Sequence, residues 1–126
     1  MGQQFKSLTV DIGDVKAGSS KNIVEWEFAE IKKSDIAYTV DKNGKIHYSV
    51  VPSCGCTADI KVTDTSIIAE YKDAGNHIGA INKKVTVYFK PEDESVPIQV
   101  TNEKGVKIYN KQLGAVTLFF NANVIK

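Results

Sequence analysis

The chain has 126 residues and a formal net charge of +1, enough length for one hydrophobic core and not for two. All 16 basic residues are lysine. Without the planar guanidinium fork that grips phosphate and guanine edges, and without a strong net field, nucleic acid and acidic membrane are excluded as expected partners.

The apolar set is 14 Val and 13 Ile against 3 Leu and 1 Met. β-Branched side chains are stiff about χ1 and pack well on a pleated surface, so this bias points to sheet. An apolar content of 42% and a charged content of 25% are ordinary for a folded domain. Residues 1–126 are therefore expected to form one domain. The opening Met1-Gly2-Gln3-Gln4-Phe5-Lys6 lacks the apolar run of a secretory signal, and no stretch is long enough to cross a membrane as a helix.

Taken in chain order, alternation with period two recurs from end to end. Leu8, Val10 and Ile12 alternate with polar residues, as do Val24, Trp26 and Phe28. Trp26, between Glu25 and Glu27, reads as core. Phe28 to Ile36 is the sole helical candidate, too short and weakly patterned to carry weight. Ile36, Tyr38 and Val40 run into Asp41-Lys42-Asn43-Gly44-Lys45, and Ile46, Tyr48 and Val50 run out again. Asn-Gly between two alternating runs predicts a hairpin, because both residues tolerate positive φ.

Ala58, Ile60 and Val62 form the next run, followed by Ile67, Ala69 and Tyr71. Asp73 to Gly79 is Gly-rich and reads as a loop. Val85, Val87 and Phe89 make a strand stopped by Pro91-Glu92-Asp93-Glu94, an acidic run that is either a solvated turn or a charged docking patch. Ile98 and Val100 enter a turn at Asn102-Glu103-Lys104-Gly105, and Val106 and Ile108 leave it. Val116, Leu118, Phe120, Ala122 and Val124 form the last strand. About eight or nine strands at this spacing predict an all-β fold, a single immunoglobulin-like antiparallel β-sandwich.

Both cysteines fall in Pro52-Ser53-Cys54-Gly55-Cys56-Thr57, and three readings of them stay open. They pack as small buried thiols. They form a strained i, i+2 disulfide eased by Gly55. Or they are two ligands of a soft metal, which makes Cys54 and Cys56 weak metal candidates. A closed zinc site needs four ligands, and the only histidines are His47, on the solvent side of its strand, and His77, in the Gly-rich loop. A thioredoxin-type motif has two residues between its cysteines and opens a helix; here there is one, in a β context. No phosphate loop, nucleophile elbow or calcium loop is present. No catalytic residue and no cofactor is expected, and the chain is expected not to be an enzyme.

Ser53-Cys54-Gly55-Cys56-Thr57, preceded by Asp11-Ile12-Gly13-Asp14-Val15-Lys16-Ala17-Gly18, resembles a bacterial family known as domain of unknown function fifteen-seventy-three. That family is marked by a Ser-Cys-Gly-Cys-Thr signature and an opening Phe-Gly-x-Val-x-x-Gly motif. Lys84 to Phe89 and Leu118 to Val124 are similar to its penultimate and closing core strands, so the resemblance covers about residues 8–125. It implies an immunoglobulin-like sandwich with no catalytic role. The chain departs from the family in lacking a Pro-Gly-Glu/Lys segment, which Asp64-Thr65-Ser66 and a longer loop replace, and in extra length between Pro91 and Gln112. It also shows no export signal.

From the resemblance and that last departure comes the specific expectation, a non-enzymatic protein-binding module. Its expected place is in a bacteriophage virion, as a capsid decoration or auxiliary protein docking on repeated shell proteins; otherwise it stays in the cytoplasm. The alternatives are a bacterial envelope or adhesion module whose leader has been removed, and a thiol- or metal-handling protein using Cys54 and Cys56.

Overall fold

The computed structural model describes residues 4–53, 57–91, 93, 95–110 and 113–126, with the backbone alone at 58 and 59. Cys54 and Cys56, and with them the three readings of that motif, lie outside the described residues.

Eleven strands form among the described residues: β1 (Thr9–Lys16), β2 (Asn22–Glu27), β3 (Tyr38–Val40), β4 (Ile46–Tyr48), β5 (Val50–Pro52), β6 (Thr57–Val62), β7 (Ser66–Tyr71), β8 (Gly79–Tyr88), β9 (Gln99–Thr101), β10 (Lys107–Tyr109) and β11 (Ala115–Ile125). Two sheets make the sandwich, β1-β11-β8-β5 and β2-β7-β6. This is the Greek-key order of immunoglobulin-like domains, with two hairpins, β3–β4 and β9–β10, inserted before β5 and before β11. The fold is all-β, as composition and alternation predict. The count of eleven exceeds the expected eight or nine because each of the ten alternating runs forms a strand and the Ile46–Val50 run is divided at Ser49 into β4 and β5.

Pairing is antiparallel except between β1 and β11, which run parallel. The cause lies in the first residues. Phe5 bridges Phe28, just beyond β2, and the Lys6 amide donates to the Glu27 carbonyl. The chain then crosses at Ser7–Leu8 and joins β11 in the other sheet, where the Phe119 amide donates to the Leu8 carbonyl. Leu8, expected inside, is therefore 45% exposed at the crossing. A bulge follows at Gly13, whose φ of +77° is open to glycine without steric cost. The bulge shifts the alternation, so Val15 enters the core.

The core is one cluster between the sheets. Val24 and Trp26 from β2 meet Ile67, Ala69 and Tyr71 from β7, Val85 and Val87 from β8, and Leu118 and Phe120 from β11. Trp26 is fully buried. Its ring lies 6.1 Å from Phe120, and its indole Nε1–H donates to the Phe119 carbonyl oxygen at 3.0 Å. The indole thus joins the two sheets by both packing and a hydrogen bond, as a buried Trp must to satisfy its donor. Phe28 to Ile36, the helical candidate, holds a single 3-10 turn at Lys33–Asp35. One such turn presents no apolar stripe able to hold a longer helix on the core.

Candidate interaction surface

The two inserted hairpins share one turn design. In the first, the Asp41 amide donates to the Lys45 carbonyl and the Gly44 amide to the Asp41 carbonyl. The Asp41 carboxylate Oδ1 accepts the Asn43 and Lys45 amides. In the second, Asn102, Gly105 and Val106 repeat these backbone bonds, and Asn102 Oδ1 accepts the Lys104 and Val106 amides. Gly44 and Gly105 each sit at φ +81°. The hairpin at Asn43-Gly44 is where the dipeptide predicted it, but Gly44 alone takes positive φ and Asn43 does not. The loop is a five-residue turn with its left-handed glycine at the fourth position, not a two-residue turn.

β3 and β4 pair Tyr38 with Tyr48 and Val40 with Ile46, so these four side chains share one face of the hairpin. Val40 is 56% and Ile46 48% exposed. The opposite face carries Thr39 and His47, and His47 Nε2 lies 2.9 Å from Asp41 Oδ2. That contact, with the Lys45 and Asn43 amides, holds the Asp41 carboxyl below the usual carboxylate range. The imidazole expected on the solvent side is there, serving the turn.

The hairpin is anchored at its base. The Ala37 amide donates to the Tyr88 carbonyl, the Ser49 amide to the Ala37 carbonyl, and the Tyr88 amide to the Ser49 carbonyl. Tyr38 and Tyr48 rings lie 6.0 Å apart. Lys90 Nζ sits 4.7 Å from the centre of the Tyr38 ring and Lys33 Nζ 5.7 Å from that of Tyr48, within cation–π range. Tyr109 of the second hairpin stacks on Tyr88 at 4.6 Å and 13°. Four of the five tyrosines of the chain thus form two ring pairs, one within the first hairpin and one between β8 and the second hairpin. Sequence reasoning missed both pairs. Their only signal was that Tyr38 and Tyr48 flank a predicted turn at equal distance; the meeting of Tyr88 with Tyr109 comes from tertiary contact.

The histidines and the acidic run form no further site among the described residues. His77 lies exposed in the Asp73–Gly79 loop, and His47 lies exposed in the first hairpin. Among the described residues no three His, Cys, Asp or Glu side chains converge. In the acidic run, Asp93 caps its own turn, accepting the Ser95 amide at 2.9 Å and the Ser95 hydroxyl at 2.8 Å; these bonds hold its carboxyl below the usual range.

The Gly-rich loop contains a carboxylate clip. Asp73 Oδ2 accepts the Gly18 amide at 2.8 Å and the Gly75 amide at 2.9 Å, while its Oδ1 accepts the Tyr71 hydroxyl at 2.8 Å. The Gly18 amide, then the Tyr71 hydroxyl, lower the Asp73 pKa. Burial, then the bond to Asp73 and its negative charge, push the Tyr71 phenol up to about 12. This pins the β1–β2 connection to the β7–β8 loop and is structural.

Comparison with known protein families, curated proteins and solved structures finds no match to this chain. No helix among the described residues is long and apolar enough to cross a membrane. What the geometry defines is an immunoglobulin-like β-sandwich with two inserted hairpins, the first carrying a tyrosine pair packed by Lys33 and Lys90.

Proposed function

We propose that the chain is a non-enzymatic protein-binding module that docks through the end carrying its two inserted hairpins. One observation carries the reading: the β3–β4 hairpin holds Val40 and Ile46 about half exposed beside Tyr38 and Tyr48. A folded chain gains nothing by holding a paired apolar face in water, and such faces mark contact sites when aromatic residues adjoin them. Tyrosine supplies large, rigid contact area with a polar tip, and Lys33 and Lys90 pack against these rings.

The particular role proposed is that of an auxiliary protein on a repeated protein shell, such as a bacteriophage capsid. A small sandwich with a hairpin anchored at its base and carrying exposed apolar side chains is suited to seating many copies on an ordered lattice. The resemblance to the Cys-Gly-Cys family is part of the same proposal and is consistent with a non-catalytic sandwich. The test is size fractionation of the native source extract, followed by lysine cross-linking and mass spectrometry. The reading expects the protein to travel with a large assembly at high copy, with cross-links from Lys33, Lys45 or Lys90 to the partner. A protein migrating alone near 13.8 kDa would refute it.

A further inference from the structure

The sandwich has a groove on the side where the first hairpin meets β6. Its volume is about 560 Å³, and Ile46, Tyr48, Val50, Ile60 and Val62 form an apolar floor. Lys45 and Lys61 stand at its rim, both exposed. Neither pairs with a carboxylate: the ion pairs among the described residues are Lys6 with Glu27 and His47 with Asp41. Asp41, the acid nearest in sequence to Lys45, is already engaged by His47 and by two turn amides.

The groove lies between two sheet edges. β5 ends the four-stranded sheet and β6 ends the three-stranded one, and neither has a backbone partner on its outer side among the described residues. Such an edge can accept an added strand. Pro52 removes a donor from β5. The Ile60–Val62 stretch of β6 keeps its amides, and its apolar side chains line the floor.

The geometry points to this groove as the docking site for an extended acidic–apolar segment of a partner protein. The segment lies along the free edge of β6, its apolar side chains entering the floor and its alternate carboxylates meeting Lys45 and Lys61. This rests on the protein-binding reading above and names the partner's chemistry. An apolar floor alone would take any hydrophobic chain; two lysines at its rim that lie outside any ion pair select against basic segments and for acidic ones.

The probe is a capped heptapeptide of alternating glutamate and valine, titrated into the full-length, isotope-labelled protein while backbone amide resonances are followed. A peptide with lysine in place of glutamate is the control. Expected are shifts confined to residues 45–50 and 60–63, weakening as salt rises, with no binding of the lysine peptide. The double variant K45E/K61E should bind about tenfold or more weakly, the size expected for losing two rim charge pairs. Ile46→Ser, at an exposed position, serves as an independent second variant and should also weaken binding.

Equal binding of acidic and basic peptides, or shifts outside the groove, would overturn the assignment. So would concentration-dependent self-association abolished by K45E/K61E, which would make a second copy of the chain the occupant. If K45E/K61E loses the peptide but still travels with the native assembly, the groove is not the docking point, while the protein-binding reading stands. If the wild-type chain binds the acidic peptide in the groove yet travels alone, the shell reading fails and the groove assignment holds.

Discussion

Replacing Trp26 with Phe tests whether the indole is the element that joins the two sheets. Trp26 is fully buried, with Phe120 6.1 Å away and its Nε1–H bonded to the Phe119 carbonyl of the opposite sheet. Full truncation to Ala would cost about 3–5 kcal/mol by cavity formation, a large share of the roughly 5–15 kcal/mol that holds a domain together. Phe keeps one ring and leaves a smaller void, about 1–1.5 kcal/mol by the same scaling. The lost hydrogen bond adds about 0.5–1.5 kcal/mol. The sum, about 2 kcal/mol, corresponds to a fall in Tm of roughly 6–10 °C for a chain of this size. Urea unfolding followed by far-ultraviolet circular dichroism measures it without relying on tryptophan emission. A loss below about 0.5 kcal/mol, the range of surface substitutions, would show that the indole neither fills the core nor bonds across it.

Three further outcomes follow from particular contacts. Gly44→Ala and Gly105→Ala, each at φ +81°, should each cost about 1–2 kcal/mol in the same assay; unchanged stability would refute the turn geometry. Asp73→Asn should flatten the acid limb of the stability profile. The Asp73 pKa is lowered in the fold by the Gly18 amide and the Tyr71 hydroxyl, so its contribution is present above the unfolded value of about 4 and is lost as pH falls through the lower folded value. A wild-type acid limb retained in the variant would refute the clip. Tyr71, pushed up to about 12, contributes stability below its unfolded value of about 10 that is lost as pH rises towards 12. Tyr71→Phe should therefore remove a late step from the phenolate absorbance titration, and persistence of that step would assign it elsewhere.

Much of the fold was legible locally. Trp26 between two glutamates could bury only one face of its strand, and it did. Ile67, Ala69 and Tyr71 alternate and all face the core, because a period of two leaves no other way to cover apolar side chains on a sheet. Asp41-Lys42-Asn43-Gly44 and Asn102-Glu103-Lys104-Gly105 announced both hairpins, since a carboxylate or amide before a left-handed glycine builds its own turn.

What alternation could not carry was anything set by a meeting of distant segments. The crossing at Ser7–Leu8 and the bulge at Gly13 exchange Leu8 for Val15 in the core, a result decided by where β2 and β11 lie. Val40 and Ile46 look like core residues in a strand read by itself. They are exposed because their hairpin is an insertion whose far face no sheet covers. The two tyrosine pairs and the groove beside Lys45 and Lys61 exist for the same reason. Sequence determined which residues lie in strands and which turns join them, through the period of the backbone and the chemistry of its turns. Tertiary structure alone decided which apolar face stayed open, because that depends on which sheet each strand joins and which edges are left without a neighbour.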